Sequence, residues 1–337
     1  MIDHVIVFTA REQAEFQELE RDATLRGDEI LVKDDYDLIS AGTELANFRA
    51  MPNTSPHTKG FPITVGYSAS GHVVAVGPEA KTVKVGDKVC VNWGKHRAYF
   101  KRSETHVVKI PDGVDLQSAA CTHLASFPLL AVRRLQIEIG EAVMVAGLGL
   151  LGQFAVQFAR LAGAYPVLAC DYSEERRKLA KQLGADFVLD PRDADFFAKI
   201  KEATNGGGPA AVVEVTGFIS ALQQALEYVA PNGRIALLGC TRISDRYIDF
   251  YKYVHRRGVQ LIGAHTMTRP KFESRPGEWT EHDDYTAFLN FLKAGRIQAA
   301  PLIGKVAPAA DAANIFRELN TATPPPLGVL LDWTKVE

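Results

Sequence analysis

The sequence has few cysteines, no long apolar run and little net charge. Its 337 residues contain four widely spaced cysteines, Cys90, Cys121, Cys170 and Cys240, and no Cys-x-x-Cys pair. This usage favours buried, reduced thiols in a cytoplasmic protein over a disulfide framework. No run of about eighteen apolar residues predicts a transmembrane helix, and the N-terminus has no basic region leading into an apolar core. A formal net charge of −2 argues against a dedicated nucleic-acid binder. We therefore expect neither a membrane nor a nucleic acid as partner.

One stretch, residues 141–171, carries the strongest signal. Residues 142–146 are an apolar run that suits a buried strand, and Gly147, Gly149 and Gly152 follow in the spacing G-x-G-x-x-G. The glycines allow a sharp turn, close approach of a pyrophosphate to the backbone, and close packing of helix on strand. Leu150 and Leu151 open that helix, whose N-terminus attracts the pyrophosphate.

Asp171 ends the second strand of this unit and indicates which dinucleotide binds. A carboxylate there accepts hydrogen bonds from the adenosine ribose and repels a 2′-phosphate, so NAD is predicted over NADP. Tyr172 and Arg176 follow directly and are expected at the same end of the cofactor. Further strand and helix patterns alternate up to residue 263, which predicts a parallel, doubly wound sheet. Ligands bind at the carboxyl ends of such strands, which adds four cofactor contacts: Thr216, Gly239, Ala264 and His265.

Residues 1–110 differ, because short apolar runs with regular turn signals predict an all-β region. Residues 115–135 follow with helical character, and Pro128 is expected to kink or divide that helix.

Several motifs, in chain order, resemble the medium-chain dehydrogenase/reductase superfamily of zinc-type alcohol and polyol dehydrogenases. They are G-H-V-V-A-V-G-P from residue 71, K-V-G-D-K-V from 84, V-K-I-P-D-G-V from 108, A-G-L-G-L-L-G from 146, L-G-A-D-F-V-L-D from 183, E-V-T-G from 214 and P-N-G-R-I-A-L-L-G from 231. The resemblance implies an α/β protein: a GroES-like β-barrel substrate domain (1–115 plus 305–337) and a Rossmann coenzyme domain (116–304). It also implies a homodimer or homotetramer, with the strand at 259–262 as a candidate edge.

The chain departs from the zinc members at the positions that would hold the metal. Ala41 stands where the resemblance places a cysteine, Tyr67 where it places a histidine, and His123 at the third ligand position. One ligand of three does not hold a catalytic zinc, and the four-cysteine lobe of a structural zinc is also missing. We therefore predict no metal.

The same comparison nominates residues for the chemistry. Tyr67 and His123 would donate and accept the proton of the substrate oxygen, unless both only pack. Thr43 matches the hydroxyl residue that hands on this proton in the family, with a simple turn residue as the alternative. Substrate contacts are predicted for four further side chains: Glu44, Trp93, Lys95 and His96. Glu44 is equally expected to be a solvated or salt-bridged acid, and core packing is the default alternative for Trp93.

These features predict a zinc-independent, NAD-dependent dehydrogenase that transfers hydride between nicotinamide and a secondary alcohol or ketone. A polyol, sugar or cyclitol is the expected small-molecule substrate. Two alternatives remain open. One is a zinc-free quinone or enoyl reductase that uses NADPH, and the other is a non-catalytic dinucleotide-binding protein.

Overall fold

The computed structural model describes residues 1–336, which form two compact units. One unit contains residues 1–124 together with the chain from Tyr285 onward, and the other is Ala125–Asp284. The sequence-based boundaries lay at 115/116 and 304/305, so the first unit is larger at both joins. One buried cluster accounts for the difference, because Cys90 and Val108 pack with Ala119, Tyr285 and Leu289.

The described residues form ten α-helices and sixteen strands, and the strands are numbered in chain order. They are β1 (Ile2–Ala10), β2 (Gln13–Glu20), β3 (Glu29–Ile39), β4 (Ile63–Thr64), β5 (Ser68–Val76), β6 (Lys88–Asn92), β7 (Tyr99–Ser103), β8 (Val107–Lys109), β9 (Val143–Ala146), β10 (Val167–Cys170), β11 (Phe187–Leu189), β12 (Ala211–Glu214), β13 (Arg234–Leu237), β14 (Gln260–Gly263), β15 (Ile303–Pro308) and β16 (Gly328–Asp332).

Ten α-helices accompany them. They are α1 (Ala41–Phe48), α2 (Ser55–Lys59), α3 (Leu116–Ala119), α4 (Thr122–Leu135), α5 (Leu150–Leu161), α6 (Glu174–Gln182), α7 (Phe196–Ala203), α8 (Ile219–Tyr228), α9 (Glu281–Lys293) and α10 (Ala312–Thr321). None of the helices within residues 1–336 is long and apolar enough to cross a membrane.

The first unit is built on β-sheets, as the sequence predicted. Its larger sheet has the order β15-β16-β3-β5-β6-β8, with β7 paired to β3, and a second sheet has the order β2-β1-β4. The prediction missed the helices α1 and α2 within the all-β region. Helix α1 forms because its residues Leu45, Ala46 and Phe48 bury one face.

The second unit has a six-stranded sheet in the order β11-β10-β9-β12-β13-β14, and every pair in it is parallel. This order confirms the predicted doubly wound coenzyme fold, in which the strand order reverses beside β9. The short strands are fully buried at β9, β10 and β12, which is typical of a sheet covered on both faces. Strand β14 lies at one edge.

Two local features differ from the sequence-based expectation. The helix over 115–135 is divided between Ala119 and Thr122, and Pro128 lies inside α4. At the break, the Thr122 hydroxyl donates to the Ala119 carbonyl at 2.6 Å, and Asp115 caps the start of α3 through the Ser118 N–H at 2.8 Å. Among the cysteines, Cys240 is exposed rather than buried, because it follows β13 in a loop.

Candidate active site

The glycine-rich turn after β9 in the second unit has the predicted geometry. Gly147 has φ 96°, the left-handed region that favours glycine. A Cβ on Gly152 would lie 1.9 Å from the Gly147 carbonyl oxygen, whereas one on Gly149 would meet no atom within 4 Å. Gly152 therefore permits the close helix packing, and Gly149 leaves open space at the start of α5. The turn fits a dinucleotide pyrophosphate.

Asp171 follows β10 with its carboxylate fixed by the backbone. One oxygen accepts a hydrogen bond from the Leu148 N–H at 2.8 Å and the other from the Ser173 N–H at 2.9 Å. Each oxygen keeps a further lone pair that can accept from a ribose hydroxyl. Tyr172 is 65% exposed beside it, and the Arg192 guanidinium lies 5.2 Å from the Tyr172 ring centroid. Sequence reasoning missed Arg192.

The carboxyl ends of β12, β13 and β14 hold the remaining predicted cofactor residues. The buried Glu214 accepts hydrogen bonds from the Thr216 N–H at 2.8 Å and from its hydroxyl. Burial raises the pKa of Glu214, and these hydrogen bonds oppose the rise. Gly239 lies so close to the turn after β12 that a Cβ on it would be 2.2 Å from the Gly217 nitrogen. Ala264 is buried and His265 is exposed. Glu214 therefore fixes Thr216 at the end of β12, and His265 is the exposed member of this group.

Four rings form an aromatic group in the first unit: Tyr67, Trp93, His123 and Tyr285. The His123 ring centroid lies 5.2 Å from that of Tyr67 and 4.7 Å from that of Trp93. The Nδ1 atom of His123 is hydrogen-bonded to the Tyr285 hydroxyl, and both of these side chains are buried. The structure thus brings the two predicted proton-transfer residues together. Tyr285, which sequence reasoning missed, lies 162 positions away in the chain.

Glu44 and His96 are placed differently from the substrate-contacting role that the sequence predicted. His96 is fully buried, with Nδ1 2.5 Å from a carboxylate oxygen of Asp37 and Nε2 2.7 Å from one of Glu44. The second Glu44 oxygen accepts from the Ser40 N–H at 2.9 Å. Both His96 nitrogens therefore have carboxylate partners within the protein. The contact between His96 and Glu44 holds the start of α1 in place.

Thr43 and Lys95 remain nearer the surface. Thr43 is partly buried in α1, where its carbonyl accepts a hydrogen bond from the Asn47 side chain at 2.8 Å. Lys95 is exposed and has φ 71°. Desolvation by the surrounding protein lowers the pKa of Lys95, and the neighbouring charge of Arg97 acts in the same direction.

The residues present do not fit a catalytic zinc. Of the three positions that the resemblance assigns to zinc ligands, Ala41 has no ligand atom and Tyr67 supplies a phenol instead of an imidazole, which leaves His123 as one usual ligand of three. Across residues 1–336, no three His, Cys, Asp or Glu side chains are grouped so as to hold a metal ion.

Two family models match the chain. The alcohol dehydrogenase GroES-like domain matches residues 37–122, and the zinc-binding dehydrogenase matches residues 151–280. The first match lies in the unit of the aromatic group, and the second covers most of the parallel sheet.

Named relatives and a solved structure agree with these matches. A D-guloside 3-dehydrogenase of Escherichia coli (strain K12) is 27% identical over 293 residues, which is 79% of this chain and 81% of the relative. An L-threonine 3-dehydrogenase of Pyrococcus furiosus is 34% identical over 234 residues, or 60% of this chain and 66% of the relative. The crystal structure of 2R,3R-butanediol dehydrogenase from Bacillus subtilis covers 98% of this chain and 99% of its own, with a TM-score of 0.81 and 22% identity. The fold class predicted from the sequence is therefore confirmed.

Proposed function

We propose that this chain is a medium-chain dehydrogenase that oxidises a CH–OH group, or reduces the matching ketone, with NAD and without zinc. The matches to the alcohol dehydrogenase GroES-like domain and to the zinc-binding dehydrogenase support the proposal. The observation that carries the proposal is the contact of Tyr67 with His123 at two positions where zinc members hold the metal. The phenol and imidazole both exchange protons, as oxidation of an alcohol requires. The named relatives are dehydrogenases of a guloside and of threonine, which supports a CH–OH substrate.

The second unit would bind and orient the cofactor. NAD, when bound, supplies the nicotinamide ring that accepts or returns the hydride. The open space at Gly149 and the free N–H groups of the first turn of α5 suit the pyrophosphate. Asp171, already fixed by two backbone N–H groups, suits the ribose hydroxyls and disfavours a 2′-phosphate. The preference for NAD rests on that carboxylate.

The first unit would handle the proton. In oxidation, the substrate C–H bond breaks with both electrons as the hydride leaves, and the O–H proton passes to the Tyr67–His123 pair. Tyr285 contacts His123 through Nδ1 and so fixes the orientation of the imidazole ring. Thr43 is proposed as the hydroxyl that relays the proton onward. Polyols, sugars and cyclitols remain the proposed substrates because the side chains of Thr43 and Lys95 suit hydrogen bonds to their hydroxyls.

The test is a substrate screen with purified protein. Secondary alcohols, polyols, sugars and cyclitols are incubated with NAD or NADP, and absorbance of the reduced cofactor is followed. Turnover of at least one CH–OH compound with NAD is expected. No turnover with any of them, despite measured NAD binding, would contradict the proposal and favour a non-catalytic binding protein. Reduction of a quinone or enone with NADPH, in the absence of alcohol oxidation, would favour the reductase alternative.

We also propose that copies of the chain associate through the exposed edge of the parallel sheet, in a cytoplasmic homodimer or homotetramer. Strand β14 is an edge strand, and two of its residues, Gln260 and Gly263, are exposed. Light scattering at micromolar concentration should give a multiple of the chain mass. A monomer mass would contradict this assembly and leave the proposed chemistry untouched.

A further inference from the structure

Trp93 has a strained backbone and a half-exposed ring. Its φ is 58°, in the left-handed region that a bulky residue rarely adopts, and its exposed fraction is 49%. Lys95, two residues on, is also left-handed, with φ 71°. Strain of this kind persists where the surrounding structure enforces it, often at binding sites.

The surroundings of Trp93 enforce this conformation. Its N–H donates to the Tyr67 carbonyl at 3.2 Å. A Cβ on Gly94 would lie 2.4 Å from the Phe100 ring, so the loop is pressed against the sheet directly after the tryptophan. The indole centroid is then 4.7 Å from the His123 ring and 5.4 Å from the Tyr67 ring. The loop therefore holds the indole rigidly beside the two proposed proton-transfer groups.

Packing alone does not explain this arrangement. Trp333, in the core of the same unit, is fully buried, as expected for a tryptophan that serves the core. Trp93 leaves half of its accessible surface in water, although burial of apolar area is favourable. A flat apolar surface kept open beside a proton-transfer pair suits a ligand with a flat apolar face.

We propose that Trp93 is a platform for the C–H face of a cyclic sugar or cyclitol, with the neighbouring Lys95 donating hydrogen bonds to its ring hydroxyls. A six-membered ring presents apolar C–H groups on a face and hydroxyls around its rim, whereas an open-chain polyol has no fixed face. A rigid ring also loses less conformational freedom on binding. The Lys95 ammonium has three donors and no acceptor, which suits hydroxyl oxygens. This inference rests on the proposed function, because it names the substrate class of the same site.

Two variants distinguish the contribution of the Trp93 ring to binding from an effect on the loop conformation. Trp93→Asn removes the ring but tolerates the left-handed backbone, and Trp93→Phe keeps a flat ring. The kcat/KM of each variant is measured for two cyclic compounds, methyl α-D-glucopyranoside and myo-inositol, and for the open-chain polyol sorbitol. The cyclic-to-linear ratio should fall about tenfold or more in Trp93→Asn, the size expected for losing one aromatic contact of about 1.4 kcal/mol. In Trp93→Phe, the cyclic-to-linear ratio of kcat/KM should stay close to that of the wild type. An unchanged ratio in Trp93→Asn, or a wild-type preference for sorbitol, would overturn the inference.

A binding measurement keeps this test independent of turnover. Titration of the wild type with methyl α-D-glucopyranoside and with myo-inositol should change tryptophan emission for at least one of them. The change should disappear in Trp93→Phe, although Trp279 and Trp333 remain. Binding in the wild type without oxidation of any alcohol would contradict the proposed function and support the platform. Turnover of alcohols with an unchanged emission response in Trp93→Phe would overturn the platform and leave the function standing.

Discussion

His96 lies between Asp37 and Glu44, and all three side chains are buried in the first unit. Burial alone would lower the pKa of His96, but the charges and hydrogen bonds of the two carboxylates outweigh it and raise the pKa to about 10. Burial also raises the pKa of Asp37 to about 6, against the opposing charge of His96. The imidazolium is therefore charged at neutral pH and joins β3 to the first turns of α1.

The first prediction is that the protein loses stability in alkali through His96. The folded pKa is raised from 6.5 to about 10, so the stabilisation is complete below pH 6.5 and is lost as the pH rises through about 10. The free energy of unfolding in urea should fall between pH 6.5 and 10. Asp37 acts in a lower window, between pH 3.8 and about 6, where its raised pKa also makes stability fall as the pH rises.

Two variants isolate this contribution. His96→Gln should lower the unfolding free energy at pH 7 by about 3–5 kcal/mol, because it leaves buried carboxylates unpaired, and should flatten its alkaline decline. His72→Gln is the matched control. This substitution removes a histidine whose Nδ1 lies 2.8 Å from an Asp35 carboxylate oxygen and whose side chain is 39% exposed. It should lower the unfolding free energy by less than about 1 kcal/mol. If the unfolding free energy falls equally from pH 6.5 to 10 in the wild type and in His96→Gln, groups other than His96 cause the alkaline loss of stability.

The second prediction concerns the proton path. Tyr67→Phe should lower kcat on the order of 10²-fold or more with NAD affinity intact, the loss expected for one general acid. His123→Ala should lower kcat less and shift its pH profile. Tyr285→Phe should shift that profile as well, because it removes the hydroxyl that contacts Nδ1. Near-normal kcat in Tyr67→Phe would show that the phenol only packs, and Lys95 would then be the next residue to test.

Cofactor choice provides the third prediction. The wild type should bind NAD more tightly than NADP, measured by fluorescence titration, because the Asp171 carboxylate repels a 2′-phosphate. Asp171→Ser should reduce the difference in affinity between NAD and NADP. Tighter or equal binding of NADP by the wild type would contradict the assignment.

The fourth prediction is the absence of a resident metal. Elemental analysis of protein purified without chelators should give far less than one zinc per chain, because position 41 is alanine and position 67 is tyrosine. Activity should also survive dialysis against a chelator. A content of about one zinc per chain would contradict this prediction.

The sequence predicted features that depend on neighbours in the chain. The strands of the coenzyme sheet and the roles of Gly147 and Gly152 follow from local pattern and spacing, and the structure has them. The contact of His123 with Tyr285 joins residues 162 positions apart, and that of His96 with Asp37 joins residues 59 apart. No periodicity signals such pairs, because they arise only when the sheets and helices pack. His96 lies in the predicted loop, but its side chain is buried against Asp37 and Glu44 and was therefore mistaken for a substrate contact.

The position of β16 in the sheet affects how the protein folds during synthesis. Residues 328–332 pair with β3 on one side and β15 on the other, so the sheet of the first unit is completed by residues synthesised after the whole second unit. The second unit is one continuous segment, Ala125–Asp284, and all its strands leave the ribosome earlier. It can fold during translation, while β3 waits with an open edge for its partner. A ribosome stalled shortly after residue 284 has left the exit tunnel should therefore carry a protease-resistant second unit and a protease-sensitive first one.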